Sequence, residues 1–382
     1  MTANQFLVTS LCCFLATLAG YVVLIDRMGI TRPAVSSPYS QFLLESAGSI
    51  QGKVIVDSGS NSVHGIDTEQ LSDYFQAPVL VTASTAGFPL GPKIWNLSRY
   101  LLPGDVLILP LEWNQYVYPD SYPDDYIASL YNSDTRRSQD YTNLPLWEKI
   151  TFIFTRLPFT DAISAVWQRL SQTADQQAQR RKLNAYQKRL HSGPGRAFGG
   201  NLQSGPKKPS LGVMRNGRMR SCDDYIFAQQ KKNGLVISEA FIDALAPLKA
   251  LRAKGVNIYF TWPAVADHAS SQCYQGQWPS TEALQAYVSD ITALTESVGA
   301  QFIGSPEQQQ MPAHCFLDTY YHLTQECAQT RTHILVQLLA DRHIATLEST
   351  VSAGEMLDRA ARRITVAKKR LQGSRAQSDK AE

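Results

Sequence analysis

Val54-Ile-Val-Asp-Ser-Gly-Ser-Asn-Ser-Val-His-Gly-Ile-Asp67 passes from a short β-branched run, through a turn rich in Ser and Gly, into a segment with helix character. Two more runs of the same kind follow, Pro78-Val-Leu-Val-Thr82 and Asp105-Val-Leu-Ile-Leu-Pro110. Each is almost continuously apolar, as a strand buried on both faces of a parallel sheet must be. Residues 67–75 and 93–101 have helix character between them, so the alternation predicts right-handed crossovers. It resumes downstream, where a helix over 239–254 leads into Gly255-Val-Asn-Ile-Tyr-Phe-Thr261 and another over 281–298 leads into Ala300-Gln-Phe-Ile303. Five strands predict an α/β fold with a doubly wound parallel sheet.

Outward from this frame, residues 6–25 carry no charge, and 20 residues at helical rise match the bilayer's hydrocarbon core. A transmembrane anchor over 1–26 is the simplest reading. A cleaved signal sequence and a buried core helix are the alternatives, although no Lys or Arg precedes the run. Residues 27–50, with two prolines and several serines, read as a stalk, and the folded domain is expected over 51–345. Within it, 170–220 reads as a basic insertion: twelve Lys or Arg and one Asp lie from Arg169 to Arg220. Residues 346–382 read as a basic C-terminal helix and tail. Either basic stretch is a solvated surface or a contact for anionic lipid or an acidic polymer. The net charge of +3 is too small to suggest nucleic-acid binding.

Open α/β sheets place their sites at the carboxyl ends of the strands. There, Ser60 follows Gly59 in a turn where main-chain N–H groups can receive an oxyanion. Near the other end of the domain, Phe316-Leu-Asp-Thr-Tyr-Tyr-His-Leu-Thr324 carries Asp318 and His322 within one helical turn. A carboxylate so placed would fix the imidazole's tautomer as it takes a serine proton. His64 and His314 are nearby histidines without such a carboxylate. No His and Cys spacing resembles a zinc site and no phosphate loop follows a strand, so neither metal nor cofactor is expected.

Ser-Gly-Ser-Asn after a first strand, continued to Gly65-Ile66-Asp67, resembles the Gly-Asp-Ser block of the SGNH (GDSL-like) hydrolases, in particular the membrane-anchored branch associated with envelope polysaccharide acylation. The Asp318 and His322 block is similar to the one that closes such domains. The resemblance implies Ser60 as nucleophile, His322 as base and Asp318 as its partner, with Gly87 and Asn114 as oxyanion donors. Glu112 and Trp113 are candidate sugar contacts. The sequence departs from the family at Ser58, where a Gly is usual, and in having three residues rather than two between Asp318 and His322. Leu109-Pro-Leu-Glu-Trp-Asn-Gln-Tyr116 stands where Gly-x-Asn-Asp is usual.

The implied activity is an esterase or O-acyltransferase on an envelope or extracellular polysaccharide, with the membrane and other envelope biosynthesis proteins as partners. The alternative is a non-catalytic polysaccharide-binding or assembly subunit of the same fold. Four cysteines outside the apolar run permit two disulfides and a periplasmic location, and a Cys315–Cys327 bond would brace the loop that carries the base. Arg27 and Arg32, just after the run, pull the other way on the positive-inside rule.

Overall fold

The computed structural model describes residues 2–28, 38–83, 90–116, 176–200, 234–266, 281–317 and 321–378, with a few single positions and pairs besides. The chain divides into two compact units, Met1–Ala34 with Pro123–Gln179 and Val35–Tyr122 with Arg180–Glu382.

In the first unit, α1 (Ala3–Met28) holds the uncharged run, and Tyr21 packs on Phe154 with ring centroids 5.7 Å apart. Among the described residues no helix is long and apolar enough to cross a membrane, so the expected spanning helix is unsupported there. The longest unbroken stretch of described side chains in α1 covers residues 8–23.

The second unit is built on the expected sheet. Strands β1 (Val54–Val56), β2 (Val79–Val81), β3 (Val106–Pro110), β4 (Asn257–Thr261) and β5 (Gln301–Ile303) are all parallel, in the flavodoxin-like order β2-β1-β3-β4-β5. Alternate residues enter two separate cores, because strand side chains point to opposite faces. Ile55, Leu80, Leu107, Ile258 and Phe260 face one core. There they meet α2 (Pro38–Ala47), α5 (Leu90–Ser98), α9 (Glu239–Ala253), α10 (Thr281–Ser297) and α12 (Ala353–Ser378). Val54, Val56, Val79, Val81 and Ile108 face the other, covered by α4 (Thr68–Phe75) and α11 (Gln325–Asp341). The short α3 (Ser60–Gly65) follows β1, and α6 (Trp113–Tyr116) follows β3.

Three expected boundaries are corrected. The stalk over 27–50 contains α2, whose Leu43, Leu44 and Ala47 are fully buried, so the folded domain begins before residue 51. The C-terminal helix belongs to the same domain: Met356, Ala360 and Ile364, four residues apart, bury one face of α12, and Arg363 pairs with Glu45 of α2 at 2.7 Å. The basic insertion also packs in part. Helices α7 (Gln176–Leu190) and α8 (Pro194–Ala197) lead to Phe198, which is buried and whose carbonyl accepts from Val81 N at 2.8 Å, covering the exposed edge of β2.

Gly199 makes that edge contact possible. It has φ +97°, and a Cβ there would lie 2.0 Å from the Val81 carbonyl oxygen. Gly199→Ala is expected to lower stability by about 2–3 kcal/mol through backbone strain, read as a shift of the urea midpoint of the full chain.

Candidate active site

The turn after β1 is held from below by one carboxylate. Glu112, just past β3, is fully buried; its Oε2 accepts from Gly59 N at 2.7 Å and its Oε1 from Asn61 N at 3.0 Å. These amides flank Ser60, so Glu112 fixes the turn on both sides of the serine. Ser60 itself begins α3 and is half-buried, while Gly59, Asn61 and Ser62 around it are buried.

Asn61 is the second brace. Its Nδ2 donates to the Pro110 carbonyl at 2.6 Å and to Ser58 Oγ at 3.2 Å, and its Oδ1 accepts from Arg331 Nη1 at 2.8 Å. Ser58 Oγ also bonds Ser62 Oγ, and a glycine at position 58 could make neither bond. Lys93 of α5 donates to the Ser58 carbonyl at 2.5 Å.

Asp57, Lys93, Glu112 and Arg331 therefore form a buried set of two acids and two bases under Ser60. Burial pushes the Lys93 ammonium below its ordinary pKa, and the charges of Asp57 and Glu112 oppose that. Burial raises Asp57, against the Lys93 charge and a 2.7 Å bond from Thr82 Oγ1. Arg331 is lowered to about 10 by burial, with Glu112 holding it up. Charges of opposite sign thus offset part of one another's desolvation beneath the turn.

The Gly65-Ile66-Asp67 continuation now has a physical meaning at each position. A Cβ on Gly65 would lie 2.4 Å from Arg331 Nη1, so the glycine admits the guanidinium. Ile66 is fully buried in the core beneath α4 and α11. Asp67 caps α4, accepting from Glu69 N at 2.9 Å and from Gln70 N.

Above the turn stands the second block. The ring of His322 stacks on that of His64, with centroids 4.2 Å apart and planes at 29°. His64 lies four positions after Ser60, which puts both on one face of α3. His322 thus stands against His64, four positions along α3 from Ser60. Its loop is closed by a Cys315–Cys327 disulfide and by a Leu317 N to His322 O bond of 2.8 Å. Tyr321 Oη accepts from Trp113 N at 3.2 Å and ties this loop to the one after β3.

Other expected residues lie elsewhere. Asp318, Gly87 and the Asn114 side chain fall outside the described residues. Glu112 is not a sugar contact, because both its oxygens are taken by main-chain amides and none of it is exposed. Trp113 is likewise core: it is 4% exposed and stacks on Trp262 at 4.6 Å. Asp57, Asn61, Lys93 and Arg331 were missed by sequence reasoning. Asp57 and Asn61 stand inside the quoted Val54–Asp67 stretch, and Lys93 and Arg331 carried no local mark. His314 lies near both sulfurs of the disulfide, but bonded sulfurs are not thiolate ligands.

The chain matches no known family model and no curated protein. The five parallel strands show an α/β fold.

Proposed function

We propose that this chain is a membrane-anchored SGNH-like esterase or O-acyltransferase that works through an acyl-serine at Ser60 on an envelope polysaccharide. The observation that carries the reading is the stack of His322 on His64, one turn from Ser60 at the carboxyl edge of the sheet. Ser60 Oγ attacks the acyl carbonyl while His322 takes its proton, and the alkoxide or thiolate leaves with that proton. Water or a sugar hydroxyl then gives its proton to His322 and attacks the acyl carbon, the acyl–Oγ bond breaks, and His322 returns the proton to Ser60 Oγ. Asp318 would orient His322. Lys93 and Arg331 offset the negative charge that Glu112 brings close to the reacting centre.

The Cys315–Cys327 disulfide supports an oxidising, extracytoplasmic compartment. The uncharged run in α1 supports an anchor. Ser60→Ala and His322→Ala are each expected to lower turnover of an acetyl ester by about a thousandfold or more. Mass spectrometry should find an acyl adduct on Ser60 of the unsubstituted chain; full activity in Ser60→Ala with no adduct would sink the reading.

One observation favours a non-catalytic polysaccharide-binding or assembly subunit. Glu112 occupies the N–H of Asn61, the residue after Ser60, where related nucleophile turns offer that amide to the oxyanion. On this reading a Ser60→Ala, His322→Ala double variant keeps polysaccharide production and modification, and only deletion of the whole domain removes them.

A further inference from the structure

The two basic stretches, far apart in sequence, are neighbours in the fold. Lys368 Nζ of α12 donates to Gln187 Oε1 of α7 at 2.5 Å, and Arg180 of α7 reaches the Leu371 carbonyl of α12. Both helices pack on α2: Tyr186 of α7 lies 5.1 Å from the ring of Phe42, and Arg363 of α12 pairs with Glu45. Their outward sides expose Arg181 and Lys188 from α7 and Arg362 and Lys369 from α12, and Lys182, also exposed, lies over the Tyr186 ring at the rim of that face. Neither α7 nor the 359–371 stretch of α12 contains an acidic residue. Val366, 48% exposed, shares a face of α12 with Arg362 and Lys369, four positions before it and three after.

We infer that the outward face of α7 and α12 docks on an anionic lipid bilayer. Clustered Lys and Arg attract acidic head groups, and an apolar side chain among them can enter the interface. The inference rests in part on the proposed anchor: only residues 29–37 separate α1 from α2, the helix on which both basic helices pack. Nine residues span at most about 32 Å, so an anchored α1 keeps α2 within that reach of the bilayer. Val366 favours lipid over an acidic glycan, since a hydrated polyanion offers it no apolar contact.

The test uses the full chain with an environment-sensitive fluorescent residue in place of Val366. It is mixed with phosphatidylcholine vesicles, and with vesicles that also contain phosphatidylglycerol. The reporter should respond to the anionic vesicles alone. Apparent binding should weaken about tenfold or more between about 0.1 M and 1 M salt, as the Debye length falls from ~10 to ~3 Å. A similar loss is expected when Arg181, Lys182, Lys188, Arg362 and Lys369 are all changed to Gln, with an unchanged thermal midpoint showing that the variant is folded. A silent reporter on anionic vesicles overturns the proposal. So does a response that the Gln variant keeps, or one to polygalacturonate but not to vesicles. The anchor is read separately, by flotation with neutral vesicles: its loss alongside a reporter response to anionic ones removes the anchor and leaves the face.

Discussion

Glu112→Ala is expected to destabilise the chain by about 3–5 kcal/mol, the cost of removing one partner from a buried charge set. Two main-chain amides, at Gly59 and Asn61, would lose the acceptors that now lie 2.7 and 3.0 Å away. The charge that opposes the desolvation of Lys93 and Arg331 would go with them. Glu112→Gln should recover part of the loss, because its amide oxygen still accepts one of the two bonds. Urea unfolding of the three chains orders them as unsubstituted, Gln, Ala. If Ala unfolded at the midpoint of the unsubstituted chain, the carboxylate would not be holding the turn, and the account of the site would fail with it.

A loss of similar size, about 3–5 kcal/mol, is expected for Asp105→Ala at the opposite edge of the sheet. Asp105 Oδ1 accepts from Gly52 N at 2.9 Å and from Lys53 N at 3.2 Å, and Oδ2 accepts from Leu102 N at 2.7 Å and from the Lys53 ammonium. Both side chains are fully buried. Burial already pushes the Lys53 pKa down, and Asp105 opposes that shift. Without Asp105 the depression deepens. Between the lowered folded pKa and the unfolded value of about 10.4, the unfolded chain then holds the proton that the folded chain has shed. Stability rises with pH across that window, so the deficit of Asp105→Ala should shrink from about pH 7 to about pH 9.5. A deficit that is constant or grows would show that Lys53 is not a stranded buried charge. The pair braces the amino ends of β1 and β3, away from Ser60, so residual chemistry in the folded fraction should not change.

These two carboxylates mark what was readable beforehand and what was not. Each strand announced itself because burial on both faces demands a continuous apolar run, and that demand is met by neighbouring residues. The turn at Ser60 was legible for the same local reason, since Ser and Gly directly after a strand favour a tight turn whatever its use. Asp318 and His322 were read as a pair from their spacing alone, and only His322 lies among the described residues.

Glu112 was noticed but given an exposed role, because nothing in Leu111-Glu-Trp113 tells whether its carboxylate meets water or two amides more than fifty positions earlier. Lys93 and Arg331 look like ordinary helix charges in the sequence. Arg331 reaches Asn61 across 270 residues, and only the stacking of α11 against α3 decides that it is buried. The stalk, the insertion and the C-terminal helix were misplaced for a related reason: α2, α7 and α12 bury their apolar faces mainly against one another and the sheet. The sequence alone thus determined a five-stranded parallel α/β sheet and a serine turn at its carboxyl edge, because local burial demands both. Tertiary structure decided which charges lie beneath that turn and which basic helices stand side by side, because long-range pairing leaves no mark in local spacing.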